Sequence, residues 1–249
     1  MNAAQHQKKP RFFILLGPTC TGKTSVVNAL LERYQNVHMV CFDSYQLYDY
    51  FALGTGRSDS LFPERSHLYG FAEPTEELSV ESYLELLFET VEKIIAEGGI
   101  PILEGGSRRY LQVLNDLAQR GVVELDVVGV EPPDNDYMER RYVQRTAACV
   151  EHGILEEMQR AIDAGYGDSF LMQNYEVYEP FTHVLKGGSV ELAQQQVVER
   201  VRGMHNEQMR VFKQYPFIQW YTVTAPDLLD QVSAKFEAYA ARFSASLRA

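Results

Sequence analysis

The 249-residue chain predicts an α/β fold: a parallel sheet with helices on both faces and a helical C-terminal part. Three observations carry that expectation. Short apolar runs recur along the chain, and stretches of helical spacing separate them, as in a sheet built from right-handed crossovers. The first run passes through a glycine turn straight into a helix start. A hydrophobic content of 45% supports a sizeable core, read here as one domain over residues 1–249.

Residues 1–10 read as a loose tail, polar and without the apolar stretch of a secretory signal. Phe12-Phe13-Ile14-Leu15-Leu16 is a buried strand. Gly17-Pro-Thr-Cys-Thr-Gly-Lys-Thr24 follows, a complete G-x-x-x-x-G-K-[ST] loop, and Val26, Val27, Leu30 and Leu31 then repeat at helical spacing. Strand, glycine turn and helix together are the context of a P-loop, so the expected layout is P-loop NTPase-like. Val37 to Phe42 is a second strand, with Asp43 at its C-terminal edge. Residues 44–78, rich in Gly, Ser, Pro and Tyr, form a long irregular stretch around Gly54-Thr55-Gly56-Arg57, and long loops in compact domains usually carry function.

Ser79 starts a helix with apolar Val80, Tyr83, Leu84, Leu87, Val91, Ile94 and Ile95, and Gly98-Gly99 stops it. Ile100 to Leu103 is a third strand, closing on Glu104-Gly105-Gly106-Ser107. A fourth spans Glu124 to Val130, before Pro132-Pro133. Residues 134–215 read as mainly helical, with one helix from Asp134 to about Arg160 carrying Arg140, Arg141 and Arg145, and another over 190–213. A strand at 217–223 and a helix from about Pro226 complete the chain. Parallel strands end along one edge, so the glycine loop, Asp43, Thr55 and Gly105-Gly106-Ser107 are expected at a single crevice.

Inward-pointing backbone N–H groups and a helix N-terminus make the loop a cradle for a polyphosphate or diphosphate. Gly17, Thr19, Cys20, Thr21, Gly22, Lys23 and Thr24 are its candidate contacts, with Lys23 a point charge and the Thr24 hydroxyl placed to hold Mg²⁺. Two chemistries fit. In one, the loop holds ATP and Asp43 accepts a hydroxyl proton while arginines clamp a moving phosphoryl group, as in a small-molecule kinase. In the other, the loop holds the departing diphosphate of an activated carbon compound and Asp43 deprotonates the incoming nucleophile. Spacing alone does not choose. Arg140, Arg141 and Arg145 also fit a solvated helix face.

A net charge of −11 argues against a protein held mainly by long nucleic-acid backbones. Cys20, Cys41 and Cys149 are widely spaced and follow no metal pattern, which fits a reduced, cytoplasmic setting. No apolar run approaches a membrane span. The oligomeric state is not legible.

Several ordered segments resemble the isopentenyltransferase family, which prenylates the N6 of adenine. Besides the Gly-Pro-Thr form of the loop, Asp43-Ser44-Tyr45-Gln46-Leu47-Tyr48 is similar to D-S-x-Q-[VIL]-Y, in which the aspartate is the general base. His67-Leu68, Pro74, Glu76 and Ser79-Val80 repeat the lead-in to the next helix. Pro101-Ile-Leu-Glu-Gly-Gly-Ser107 resembles P-x-L-x-G-G-[ST]. Arg141 and Arg145, with Gly153 and Glu157 beyond, look like the R-[IV]-x-x-R helix, and Arg202 and Gln208 fall where a later basic helix lies. The resemblance runs from about residue 12 to 216.

It implies Asp43, Lys23 and Arg145 as catalytic residues. It further implies Arg145 and Arg202 on the diphosphate of dimethylallyl diphosphate, and Asp43, Thr55, Arg57 and Ser107 as acceptor contacts. The tRNA-modifying branch carries a long helical insertion between the G-G-[ST] turn and the R-x-x-R helix. Only Arg108 to Arg140 fills that gap here. The Gly54-Thr55-Gly56-Arg57 and Leu103-Glu104-Gly105-Gly106-Ser107 segments look more like bacterial adenylate isopentenyltransferases, which make cytokinins. The expected acceptor is therefore AMP, with tRNA disfavoured and other small amines open. Asn174-Tyr175-Glu176, where the family often has G-Y-[RK], reverses a charge beside the expected pocket.

Overall fold

The computed structural model describes residues 9–57, 61–75 and 77–247. Residues 1–8 of the expected tail, and Glu76 of the family-like pattern, lie outside them. The strands are β1 (Arg11–Leu16), β2 (Val37–Cys41), β3 (Ser66–His67), β4 (Ile100–Gly105), β5 (Glu124–Glu131) and β6 (Gln219–Thr222). They form one sheet in the order β3-β2-β4-β1-β5-β6, parallel at every pairing. The α/β expectation holds. β3, only two residues long, is too short for a periodic pattern to announce.

The helices among the described residues are α1 (Lys23–Arg33), α2 (Val80–Ala96), α3 (Arg108–Gln119), α4 (Asn135–Glu151), α5 (Ile154–Asp163), α6 (Phe170–Asn174), α7 (Tyr178–Leu185), α8 (Val190–Phe212) and α9 (Leu228–Leu247). Local chemistry sets their ends. Ser79 accepts a hydrogen bond from Ser82 N to start α2, and Asp134 does the same for Tyr137 N at α4. The long helix expected from Asp134 is broken at Gly153, whose φ of 89° is left-handed and opens α5 in a new direction. α3 lies ahead of the expected strand at Glu124, in the Arg108 to Arg140 stretch where no helix was expected. Ser107 caps it, and Tyr110, Leu111 and Leu114 give it a buried stripe.

Side chains of β1 alternate between two cores. Phe12, Ile14 and Leu16 face the layer built by α2, α3 and the helices from α4 to α8. Phe13 and Leu15 face α1 and α9, where Phe13 meets Phe236 edge-on at 5.7 Å. Burial on both faces explains why β1 reads as a continuous apolar run. Arg65, just before β3, is buried and donates to the carbonyls of Leu31 and Tyr34, so a cation closes the C-terminus of α1. None of the helices among the described residues is long and apolar enough to cross a membrane.

β4 sits between β1 and β2, so its terminal Gly105 must pass close to the chain leaving β2. A Cβ at Gly105 would run into the carbonyl of Phe42. Gly105→Ala is therefore expected to cost about 1–3 kcal/mol of stability. A urea midpoint that falls at unchanged slope would show it.

Candidate functional site

The C-terminal ends of β1, β2 and β4 open into a cavity of about 420 Å³. Thr19, Cys20, Gly22, Lys23 and Thr24 line it from the glycine loop, Asp43 to Gln46 from the end of β2, and Glu104, Gly106 and Ser107 from the end of β4. Thr55 and Arg57 come from the irregular stretch. Arg141, Arg145, Ala148 and Cys149 come from one face of α4, with Gln208 from α8. Gly17 and Thr21 lie behind the loop and shape it. Gly17 N donates to Gly105 O, and the buried Thr21 hydroxyl donates to Pro18 O at 2.8 Å.

Asp43 Oδ1 accepts from the backbone N–H groups of Tyr45 at 2.9 Å and Gln46 at 3.4 Å. That turn fixes the carboxylate at the strand end. On the opposite wall, Arg145 forks across the loop. Nη1 donates to Thr19 Oγ1 at 2.9 Å, and Nη2 donates to Gly54 O at 3.1 Å. Arg141 donates to Cys20 O at 3.3 Å. Among the described residues neither arginine makes an ion pair, so both positive charges remain available to an anion.

Gln208 links the two glycine turns: its Oε1 accepts from Thr19 N at 2.8 Å and its Nε2 donates to Gly106 O at 3.0 Å. Glu157 organises the 52–57 turn. It accepts from Ala52 N and Leu53 N, each at 2.9 Å, and from the Tyr178 hydroxyl at 2.6 Å. Gly54 and Gly56 let that turn press against Tyr178 and Arg145, whose side chains a Cβ at either position would strike. Within it the Thr55 hydroxyl donates to Phe51 O at 2.6 Å, and Arg57 donates to Tyr48 O at 3.3 Å. Ser107 shares a 2.8 Å hydrogen bond with Ser44.

Thr24 and Lys23 meet the cavity floor beside Glu104. The Thr24 hydroxyl donates to Glu104 Oε1 at 3.2 Å, and the Tyr69 hydroxyl donates to Oε2 at 2.9 Å. Burial pushes the Glu104 carboxyl up, and the charge of Lys23 pulls it back. Tyr45 and Tyr175 form an aromatic wall with ring centroids 4.4 Å apart. Next to it, Glu176 Oε2 is buried without a hydrogen-bond partner among the described residues.

The structure does not bring Arg202 to the cavity. Its guanidinium is held by Glu139 through two hydrogen bonds of 2.6 and 2.7 Å, on a separate groove between α4 and α8. Its charge is already matched there, and the expected diphosphate contact is corrected accordingly. Arg141 takes a place at the loop that residue spacing alone did not single out.

Comparison with known proteins adds an independent finding. The family model described as IPP transferase matches residues 46–124. These matches support the isopentenyltransferase family. A protein named tRNA dimethylallyltransferase from Gloeothece citriformis is 26% identical over an alignment 298 positions long, covering 90% of this chain and 95% of its own length. One of the same name from Bacillus licheniformis is 34% identical over 109 residues, covering 43% of this chain and 34% of its own length. Among solved structures, the tRNA isopentenylpyrophosphate transferase of Staphylococcus epidermidis superposes with a TM-score of 0.81 at 17% identity, over 93% of this chain and 100% of its own. A eukaryotic dimethylallyltransferase captured acting on tRNA superposes at 0.70 with 15% identity, over 96% of this chain and 80% of its own. At such identities the superpositions establish the fold.

The isopentenyltransferase resemblance read from the motifs is supported, while its adenylate branch is not. Relatives named for tRNA overturn the expectation of AMP as acceptor and of tRNA as disfavoured, and they lend no support to cytokinin formation. The physical reason lies in what that expectation used. Net charge sums the whole surface and is silent about one face, and the length between Ser107 and α4 says nothing of how other elements present themselves to RNA.

Removing the Gln208 side chain frees Thr19 N–H and Gly106 O. Gln208→Ala is expected to weaken binding of inorganic diphosphate by about three- to tenfold, the worth of one hydrogen bond. Isothermal titration checks this, alongside a thermal midpoint expected to move little.

Proposed function

We propose that the chain is a prenyltransferase that moves a dimethylallyl group from dimethylallyl diphosphate to the exocyclic N6 amine of an adenine in tRNA, releasing diphosphate. The observation that carries the reading is the shared cavity. It sets the diphosphate cradle and the cationic Lys23, Arg141 and Arg145 opposite the strand-end carboxylate of Asp43. The relatives' names support the acceptor class.

In this reading the C–O bond of the allylic diphosphate breaks as the N–C bond to the amine forms. An exocyclic amine on a purine is a poor nucleophile because its lone pair is shared with the ring. With Asp43 Oδ1 held by two backbone amides, Oδ2 accepts the amine proton. Lys23, Arg141 and Arg145 take up the charge that grows on the departing diphosphate, each well-placed donor contributing roughly 3 kcal/mol in the transition state. Mg²⁺ suits the oxygen donors at Thr24 and, when bound, adds positive charge at the leaving group. The wall of Tyr45 and Tyr175 offers apolar surface to the five-carbon chain or to the base.

The test incubates the protein with dimethylallyl diphosphate, Mg²⁺ and unmodified tRNA, with free nucleotides alongside, and follows the five-carbon unit by mass spectrometry. Gain of that unit by tRNA is expected, and phosphoryl transfer from ATP with indifference to prenyl diphosphates would defeat the reading. Asp43→Asn keeps the oxygen that the backbone amides hold. It is expected to lower kcat by about 10²- to 10⁴-fold while diphosphate binding stays near wild type. Arg145→Ala is expected to reduce kcat more than acceptor affinity, and a raised acceptor KM alone would assign it a different role.

A further inference from the structure

Among the described residues two glutamates near the cavity, Glu104 and Glu157, are buried as whole side chains, and only Glu157 is fully engaged by the fold. Glu157 is engaged by two backbone amides and a tyrosine hydroxyl. Glu104, 1% exposed, lies near the end of β4, opposite Leu15 on one neighbouring strand and Cys41 on the other. A carboxylate in the middle of a parallel sheet loses most of its hydration. The hydroxyls of Thr24 and Tyr69 are neutral donors that offset only part of that loss. The position calls for a cation, and Lys23 is within electrostatic reach of it.

We infer that Glu104 and Thr24 together form the protein side of a divalent-cation site at the leaving diphosphate, with Glu104 meeting the cation directly or through one of its waters. This rests on the diphosphate reading above. Its support is positional: Glu104 Oε1 is one hydrogen bond from the hydroxyl expected to hold the ion, on the strand next to β1, and it lines the same cavity. Magnesium at phosphate sites keeps several waters and takes one or two carboxylates rather than a full protein cage. Among the described residues no group of three or more His, Cys, Asp or Glu side chains is gathered to hold a metal, so the site rests on Glu104 and Thr24 with the diphosphate and water. Tyr69, through Oε2, is a positioning residue that sets the plane of the carboxylate.

The test measures Mn²⁺ binding by electron paramagnetic resonance in the presence of inorganic diphosphate, and diphosphate binding without metal by isothermal titration. Glu104→Gln keeps the side-chain volume and is expected to weaken Mn²⁺ binding by about 10- to 100-fold, with metal-free diphosphate binding no weaker than wild type. Tyr69→Phe is expected to weaken Mn²⁺ binding by a smaller factor. Unchanged Mn²⁺ affinity in a folded Glu104→Gln variant overturns the inference and leaves the diphosphate reading standing. If that variant does not fold, unchanged Mn²⁺ affinity in Tyr69→Phe overturns it. Failure of the wild-type protein to bind diphosphate with or without metal rejects the diphosphate reading itself.

Discussion

The parallel pairing of β4 between β1 and β2 is the constraint on which the site rests. Its register sets Glu104 opposite Leu15 and Cys41 at once, so the strand ends of all three chains are fixed relative to one another within a residue. Because side chains alternate along a strand, a slip of a single residue would turn Glu104 to the other face and part Asp43 from the glycine loop. Gly105 makes the tight approach to Phe42 possible, and Gly17 N closes the seam on Gly105 O. Buried stacking of Tyr83 on Tyr110, with the Tyr83 hydroxyl on Cys41 O, holds the end of β2 from the helical side.

Much of this arrangement was legible in the residues because it depends on local rules. A buried strand, a glycine loop and a helix start are contiguous in sequence, and the strand-end place of Asp43 follows from one apolar run. Ser79 and Gly98-Gly99 bracket α2 where capping chemistry puts them. What stayed hidden depends on partners far away in the chain. Nothing near Arg202 signals that Glu139, 63 residues earlier, absorbs its charge. The bridge made by Gln208 spans 189 residues to Thr19 and 102 to Gly106. α3 is a different kind of miss. Ser107 followed by Tyr110, Leu111 and Leu114 was a readable helix signal, obscured by an expectation about branch length.

The electrostatics show why a total of −11 is a poor guide to what the cavity attracts. Arg108 and Arg109, at the edge of the cavity, pair with Glu207 and Glu77, and Arg202, away from it, pairs with Glu139. Arg141 and Arg145 instead touch carbonyl and hydroxyl oxygens of the glycine loop and of the 52–57 turn. Their charge is concentrated in a partly enclosed space, where screening by solvent is weaker than at the surface. An acidic protein thus gathers cationic side chains at its glycine loop, with the aromatic pair of Tyr45 and Tyr175 along one side of the same cavity.

The guanidinium of Arg145 occupies the volume that side chains at Gly56 would otherwise fill, and Tyr178 does the same above Gly54. These positions are therefore not independent choices. At Gly54, bulk must be matched by a shorter residue in place of Tyr178 on α7, whereas at Gly56 the left-handed φ of 74° strains any side chain whatever the space, so that position stays glycine even if Arg145 is shortened. Any redesign on the Gly54 side of this wall, natural or deliberate, has to move both partners in the same step.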